Sequence, residues 1–265
     1  MKTYRGGLRS LLACHPKLRV LWAESSWRYA ADMGHVRSML KRAIEARGFY
    51  LRRRAVLPYG IDFFTDISRI AAMMGGKINS FFDVGAWRGD VSQRALIEYP
   101  QARVTAFEPN PAHHAVLARM HSAEPRFSFH PFALGATDGM ARLFCNSTLR
   151  ESMVFQDDGA DSIEVQQTRL DSYCRINHSA DIDVIKLDAE GAEMAILRGG
   201  EETIATRGVR FVYCEFFNDG RGTSLPALLD FLGAYGFRLI ATYTEHVVRE
   251  NGHIFACANA LFVRL

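Results

Sequence analysis

The fold is decided by one stretch of sequence, Phe81-Phe82-Asp83-Val84-Gly85-Ala86-Trp87-Arg88-Gly89-Asp90. A short β-rich run from residue 80 to 84 enters a turn bounded by two glycines, and residues 90–99 then follow a helical pattern. A strand that leads through a tight turn into a helix is the repeating unit of a parallel α/β sheet. Ligands in such sheets bind beyond the carboxyl ends of the strands, so this turn is the first candidate for a binding site.

The alternation of short apolar runs and helical segments continues to the C terminus and predicts a doubly wound α/β fold with a mostly parallel, seven-stranded sheet. The predicted main strands are 80–84, 103–107, 127–132, 182–187, 210–215, 237–242 and 258–263, and the helices after 90–99 are 111–122, 192–206 and 224–235. Residues 243–255 show no helical pattern, which predicts a polar loop and an antiparallel last strand. An inserted hairpin or ribbon is expected within 139–170.

The N-terminal part of the chain differs from the rest in charge. Residues 1–60 carry thirteen Lys and Arg against three acids, a net charge of +10, so the total of +3 leaves −7 for the remainder. We expect a basic, mainly helical extension over 1–60 and a main domain over 61–265, in which Thr65 caps a short helix, 66–74. The basic face is interpreted first as a solvated or intramolecular surface. Peripheral contact with an anionic membrane and a contact between two copies of the chain stay open.

The composition, 48% hydrophobic and 23% charged, is ordinary for a soluble globular protein. No apolar run approaches the roughly 20 residues needed to span a bilayer, and the basic N terminus is interrupted before it reaches signal-peptide length. The five cysteines are scattered without a C-x-x-C pair, as expected for reduced thiols in the cytoplasm.

The first strand and turn are interpreted as part of a cofactor site. Asp83 at the strand tip suits a cationic amino group, while Val84, Gly85 and Ala86 line the turn and Gly89 opens the next helix. The glycine spacing is G-x-x-x-G, and the absence of G-x-G-x-x-G argues against a dinucleotide.

The second and third strands add to the same site. Glu108, in the run Glu108-Pro109-Asn110, can accept hydrogen bonds from both hydroxyls of a ribose. Ala133 and Leu134 follow the third strand and form a small apolar wall suited to an adenine ring. Together these positions fit adenosine joined to a zwitterionic amino acid.

A second group of ionisable residues follows the fourth strand. Lys186, Asp188, Glu190 and Glu193 lie within one short stretch, and Glu215 ends the fifth strand. Strand alternation places Lys186 and Asp188 on one face. The simpler alternative is that Glu190 and Glu193 decorate a helix N terminus, where negative charge is favoured, with Asp188 as a cap.

At these motifs the sequence resembles the FkbM family of S-adenosylmethionine-dependent methyltransferases. The resemblance extends over roughly residues 60–263 and is carried by five motifs: FFDVGAWRGD, AFEPNP, FALGATDG, TRLDSY and, most specifically, IKLDAEGAEMAILRGG at 185–200. It implies the seven-stranded, Rossmann-like methyltransferase fold, S-adenosyl-L-methionine as cofactor, and transfer to a hydroxyl oxygen of a sugar, glycan or other natural product. By position, Asp83, Gly85, Gly89 and Glu108 match the cofactor-binding motifs.

An alcohol needs an acceptor for its proton before it can attack a methyl group. We expect Asp188 or Glu190 to act as the base, with Lys186 and Glu193 holding the site electrostatically, Glu215 as a further candidate, and Asp188 also near the cofactor. A divalent cation held by these carboxylates is a less favoured alternative, and no metal site is predicted.

Other classes of protein remain as alternatives. These are a nicotinamide-dependent oxidoreductase and a non-catalytic binding module with the same fold. A nucleic-acid partner is not expected, because the sequence contains no N-P-P-Y-like motif and no aromatic-basic repeat.

Overall fold

The computed structural model describes residues 57–145, 151–152, 161–178, 181–217, 222–250 and 253–265. The predicted helices of the N-terminal extension lie outside these ranges. The division of the chain at residue 60 stays a prediction. No helix in the described ranges has the length and apolar character needed to cross a bilayer.

The main sheet has seven strands in the order β10-β11-β9-β8-β1-β2-β3. Its strands are β1 (Ser80–Val84), β2 (Arg103–Phe107), β3 (Phe127–His130), β8 (Val184–Leu187), β9 (Phe211–Phe217), β10 (Phe237–Glu250) and β11 (His253–Arg264). The pairs among β1, β2, β3, β8 and β9 are parallel, and β11 runs antiparallel to both β9 and β10. The predicted fold class and the antiparallel last strand are therefore confirmed.

Helices cover both faces of this sheet. They are α1 (Phe63–Met73), α2 (Asp90–Glu98), α3 (Pro111–Ala123), α4 (Leu170–Ile176), α5 (Glu193–Gly199), α6 (Glu201–Thr206) and α7 (Leu225–Ala234). Side chains alternate along each strand, so Phe81 packs with α1, α2 and α3 on one face, and Phe82 packs with α4 to α7 on the other. Each face buries one large apolar cluster, so the sheet forms the core of the unit Leu57–Leu265.

A second, four-stranded sheet lies between β3 and α4 in the chain. It has the order β4-β7-β5-β6 and consists of β4 (Ala133–Gly135), β5 (Gly139–Cys145), β6 (Glu151–Ser152) and β7 (Asp161–Arg169). β5 and β7 form the inserted ribbon predicted within 139–170. The addition of β4, which pairs in parallel with β7, brings the ribbon beside the main sheet.

Three local predictions are wrong in detail. Helix α1 begins at Phe63, and its cap is Asp62, whose carboxylate accepts a hydrogen bond from the backbone N–H of Thr65, so Thr65 is not the cap. The single helix predicted over 192–206 is two helices separated at Gly200, where an added Cβ would lie 2.6 Å from Leu170. The segment 243–255 belongs largely to the long antiparallel strands β10 and β11 and is not a loop.

Candidate active site

A cavity of about 250 Å³ opens at the carboxyl ends of β1, β2 and β8. Its lining combines apolar side chains with three carboxylates: Val84, Gly85, Trp87, Phe107, Glu108, Pro109, Phe132, Ala133, Leu134, Leu143, Asp188, Ala189, Glu190 and Ile196. This is the edge of the sheet at which the sequence predicted a ligand site. A mostly apolar cleft with a few polar groups is the usual form of a small-molecule site.

The turn after β1 is shaped by Gly85. Its φ of +74° is in the left-handed region, and a Cβ built on it would lie 1.8 Å from the backbone oxygen of Asp188. The N–H groups of Gly85 and Ala86 both donate to the carbonyl of Phe107 at the end of β2. Glycine therefore allows the turns after β1 and β8 to approach each other at the cavity floor.

Glu108 presents a fixed carboxylate at the end of β2. One carboxylate oxygen accepts from the backbone N–H of Trp87 and the other from that of Asn110, each at 2.8 Å. Asn110 in turn caps α3 through its side-chain oxygen, which accepts from the N–H of Ala112. Glu108 is 6% exposed and lines the cavity, so its position is determined by backbone groups before any ligand arrives.

One wall of the cavity is apolar. Ala133 and Leu134 of β4 are joined there by Phe132, by Leu143 from β5 and by Ile196 from α5. The second sheet thus supplies the surface predicted to meet an adenine ring.

Asp83 and Lys186 form a buried ion pair beneath the floor. They are register partners in the parallel pair β1/β8, so their side chains lie side by side, and the Lys186 Nζ is 3.1 Å from an oxygen of Asp83. The other Asp83 oxygen accepts from the Ser92 hydroxyl at 2.6 Å, and Lys186 Nζ also donates to the carbonyl of Gly85 at 2.7 Å. Burial lowers the pKa of Lys186, but attraction to Asp83 and Asp188 outweighs it and the net pKa is raised, which keeps the ammonium charged.

This arrangement changes the interpretation of Asp83. Its side chain is fully buried and is not part of the cavity lining, and its contact with a cationic amino group stays a prediction. Its place beside Lys186 follows from strand register, and Asp83 fixes that lysine under the turn after β1.

The turn between β8 and α5 forms the floor. Asp188 and Glu190 both line the cavity, and Asp188 lies 3.4 Å from Lys186 Nζ. Glu190 has a φ of +50°, an uncommon value for a residue with a side chain. The buried Glu193 holds this turn from behind, because its Oε1 accepts hydrogen bonds from the N–H groups of Ala189 and Gly191. Burial raises the pKa of Glu193.

Glu215 lies near the end of β9, next to the floor carboxylates. It is 4% exposed, and its Oε1 accepts a hydrogen bond from the Cys257 thiol at 2.8 Å. Burial, together with repulsion from Asp188 and Glu190, raises the pKa of Glu215 to about 9. One oxygen from each of Asp188, Glu190 and Glu215 lies within 4.8 Å of the other two.

The predicted residues divide into two groups. Those that line the cavity are Val84, Gly85, Glu108, Pro109, Ala133, Leu134, Asp188 and Glu190. Those outside the lining are Asp83, Ala86, Gly89, Asn110, Lys186, Glu193 and Glu215. Of these, Asn110, Lys186 and Glu193 form hydrogen bonds or ion pairs with lining residues. The predicted site residues did not include six that line the cavity, namely Trp87, Phe107, Phe132, Leu143, Ala189 and Ile196. Leu143 and Ile196 arrive from the ribbon and from α5, and nothing in their local sequence marks them. Trp87 stands inside the first motif, where a large aromatic residue between two turn glycines was a usable signal.

The chain is similar in sequence to known methyltransferases. The family model described as the methyltransferase FkbM domain matches residues 83–239. The 2-O-methyltransferase NoeI of Sinorhizobium fredii (strain NBRC 101917 / NGR234) is 31% identical over 191 residues, which cover 62% of this chain and 74% of NoeI.

Solved structures similar to this chain include two methyltransferases. Methyltransferase FkbM from Methylobacillus flagellatus KT is 15% identical with a TM-score of 0.46, and the match covers 69% of this chain and 43% of that one. N-methyltransferase NodS from Bradyrhizobium japonicum WM9, in complex with S-adenosyl-L-homocysteine, is 10% identical with a TM-score of 0.40, covering 76% and 85% of the two chains. This chain therefore spans less than half the length of the Methylobacillus protein.

Proposed function

The chain belongs to the FkbM methyltransferase family, and from this premise we propose that it transfers the methyl group of S-adenosyl-L-methionine to a hydroxyl oxygen of a sugar, glycan or other natural product. The observation that carries the proposal is Glu108. Two backbone N–H groups fix its carboxylate in a largely apolar cavity whose floor is acidic.

The cavity is suited to S-adenosyl-L-methionine on three counts. The Glu108 carboxylate can accept hydrogen bonds from both hydroxyls of a ribose, since each carboxylate oxygen accepts more than one bond. The wall that contains Ala133 and Leu134 is small and apolar, as an adenine ring requires. At Gly85 the backbone itself forms the cavity surface, so a bound molecule can approach it closely.

When bound, S-adenosyl-L-methionine supplies a methyl group on a sulfonium, which leaves as a thioether once the acceptor oxygen forms its bond to the methyl carbon. The task left to the protein is to align the acceptor hydroxyl, to exclude water and to take up the hydroxyl proton. Asp188 and Glu190 are the proposed bases because both line the cavity, whereas Glu215 is enclosed behind them. Lys186 positions Asp188, and Glu193 positions the turn that carries Glu190.

Transfer to oxygen is supported by the relative NoeI, which is a 2-O-methyltransferase. An acidic floor suits this chemistry because a carboxylate can receive the hydroxyl proton at the acceptor.

Thermal unfolding with added ligand tests the cofactor. We expect S-adenosyl-L-homocysteine to stabilise the protein by about 2.7 kcal/mol at one hundred times its Kd, and NAD to leave it unchanged. Glu108→Gln should weaken binding of S-adenosyl-L-homocysteine at least tenfold. Glu202→Gln, which changes an exposed carboxylate on α6, should leave that binding unchanged. Stabilisation by NAD alone would instead favour an oxidoreductase.

Mass spectrometry of extracts tests the reaction. Metabolites and glycans incubated with the protein and S-adenosyl-L-methionine should yield a product that has gained one methyl on a hydroxyl. With that acceptor, Glu190→Gln should reduce kcat strongly at unchanged cofactor affinity, and unchanged turnover would remove Glu190 from the mechanism.

A further inference from the structure

Three carboxylates from two separate parts of the chain meet at the cavity floor. Asp188 and Glu190 come from the turn after β8, and Glu215 comes from the adjacent strand β9. One oxygen of each lies within 4.8 Å of the others. Two oxygens on opposite sides of one ion are separated by roughly 4 Å for Mg²⁺ and roughly 5 Å for Ca²⁺. The observed spacing therefore fits one ion of the size of Ca²⁺ bound by all three side chains, and a smaller ion such as Mg²⁺ would draw the oxygens closer together.

Glu215 gives an independent indication that this group binds something. Its side chain is 4% exposed, and while Oε1 accepts a hydrogen bond from Cys257, Oε2 is enclosed without a hydrogen-bond partner. Leaving a buried polar atom unsatisfied costs about 1–3 kcal/mol, and more for a charged group. An ion among the three carboxylates would give the Glu215 carboxyl group a second partner besides Cys257.

The charge balance at the floor points the same way. The Lys186 Nζ lies 3.4 Å from Asp188 and 3.1 Å from Asp83, so its positive charge is divided between a floor carboxylate and the buried Asp83. Bringing like charges together without compensation is unfavourable, and a divalent cation removes most of that repulsion.

We propose that Asp188, Glu190 and Glu215 bind one divalent cation of the oxygen-preferring class, Mg²⁺, Mn²⁺ or Ca²⁺, at the floor of the cavity. Asp188 and Glu190 also line the cavity, so the remaining coordination positions of the ion face the space where an acceptor would bind. A hydroxyl bound to the ion would lose its proton more readily, and the proton would pass to solvent or to a floor carboxylate. This activating role depends on the proposed function, whereas binding of the ion does not.

A titration with Mn²⁺, monitored by electron paramagnetic resonance, tests the site. It uses the full chain from which bound metal ions have first been removed by a chelator. The signal of free Mn²⁺ should disappear until one ion per chain is bound, and excess Mg²⁺ or Ca²⁺ should restore it. Asp188→Asn and Glu215→Gln should each weaken Mn²⁺ binding at least tenfold, and Glu202→Gln should bind like the wild type. Asp188 is about one third exposed, so its variant provides the test even if the buried Glu215→Gln fails to fold.

Absence of saturable Mn²⁺ binding to the wild type, or wild-type affinity in both floor variants, would overturn the proposal. Thermal stabilisation by S-adenosyl-L-homocysteine, measured on the same samples, separates this failure from that of the proposed function. Stabilisation without Mn²⁺ binding contradicts the cation site alone. Mn²⁺ binding without stabilisation supports the cation site and contradicts the methyltransferase cofactor.

Discussion

Gly85 is the position where two turns of the cavity come closest. A Cβ built on Gly85 would lie only 1.8 Å from the backbone oxygen of Asp188, and the φ of Gly85 is +74°. Gly75 has nearly the same φ, +71°, but nothing lies within 4 Å of its virtual Cβ. The two glycines separate the effect of backbone conformation from that of close packing.

We predict that Gly85→Ala lowers the free energy of unfolding by at least about 3 kcal/mol, because it adds a clash to the left-handed strain. Gly75→Ala carries the strain alone and should cost about 1 kcal/mol. Chemical denaturation of both variants measures the difference, and equal losses would show that the contact with Asp188 does not constrain the turn.

Glu190, at the floor of the cavity, has a strained backbone conformation. A side-chain-bearing residue at φ +50° costs of order 1 kcal/mol, and such residues concentrate at functional sites. Trp87, at φ +49°, is a second example on the same cavity. The structure tolerates both because the surrounding turns are held by Glu108 and Glu193.

Removing the strain at Glu190 should stabilise the fold. Glu190→Gly and Glu190→Ala both delete the carboxylate, but only glycine relaxes at positive φ, so the glycine variant should exceed the alanine variant by about 0.5–1 kcal/mol in unfolding free energy. Both variants should lose methyl transfer. If the glycine variant is less stable than the alanine variant, the backbone at residue 190 is not strained as predicted.

At this scale the sequence predicted which residues meet at the strand ends better than what each one does. Motif and spacing placed Glu108, Asp188 and Glu190 on one cavity, because they immediately follow strands whose ends are adjacent. The role of Asp83 was not predictable, because it depends on the register between β1 and β8, which sets Lys186 beside it. Register between strands about one hundred residues apart is a tertiary property.

At the scale of elements, Asp171 shows how helix α4 holds the N terminus of helix α6 in place. Its buried carboxylate accepts hydrogen bonds from the N–H groups of Glu202 and Thr203 in the first turn of α6 and pairs with Arg169 at 3.0 Å. The neighbouring Leu170 packs against Gly200, where no side chain would fit. Helix α4 thus supplies the cap that α6 lacks in its own sequence.

Asp171→Ala should lower the free energy of unfolding by about 1–3 kcal/mol, since it leaves helix N–H groups and Arg169 without their acceptor. Because Asp171 lies outside the cavity lining, the affinity for S-adenosyl-L-homocysteine should stay within twofold. Asp230→Ala, an exposed carboxylate in α7, is the matched control and should change stability by less than about 0.5 kcal/mol. An unchanged denaturation midpoint in Asp171→Ala would show that α6 does not depend on this cap.

The sequence predicted the ends of an element correctly where those ends depend on neighbouring residues in the chain. β1 and β2 have the predicted bounds because apolar runs end at Gly85 and Pro109. β10 and β11 are longer than predicted because polar residues such as Thr244 continue the ladder, and antiparallel strands with a solvent-facing side accept polar residues that resemble a loop in sequence. The break at Gly200 was missed for a different reason, since its cause is contact with Leu170.

At the scale of the whole molecule, the β10–β11 hairpin extends beyond the main sheet. β11 pairs with β9 from Cys257 to Val263, and Cys257 is opposite Phe217, the last residue of β9. Four further pairs between β10 and β11, from Val247↔Ala256 to Glu250↔His253, have no partner in β9. At about 3.4 Å per residue the hairpin projects roughly 14 Å past the edge at which the cavity opens.

Shortening this hairpin should separate acceptor binding from cofactor binding. The described end of the hairpin belongs to β10 and β11, and β11 lies two places away from β8, roughly 10 Å across the sheet, on the side opposite Glu108 and the apolar wall. Replacing residues 249–254 by Asn-Gly keeps the Val248↔Phe255 pair and provides a turn suited to two-residue hairpins. We expect thermal stabilisation by S-adenosyl-L-homocysteine to be unchanged and kcat/KM for the acceptor to fall at least tenfold, mainly through KM. The proposed cofactor positions belong to β1, β2 and β4, which the deletion does not touch, so a parallel loss of cofactor affinity would contradict this division of the cavity. Full kcat/KM in the shortened protein would place the acceptor away from the hairpin.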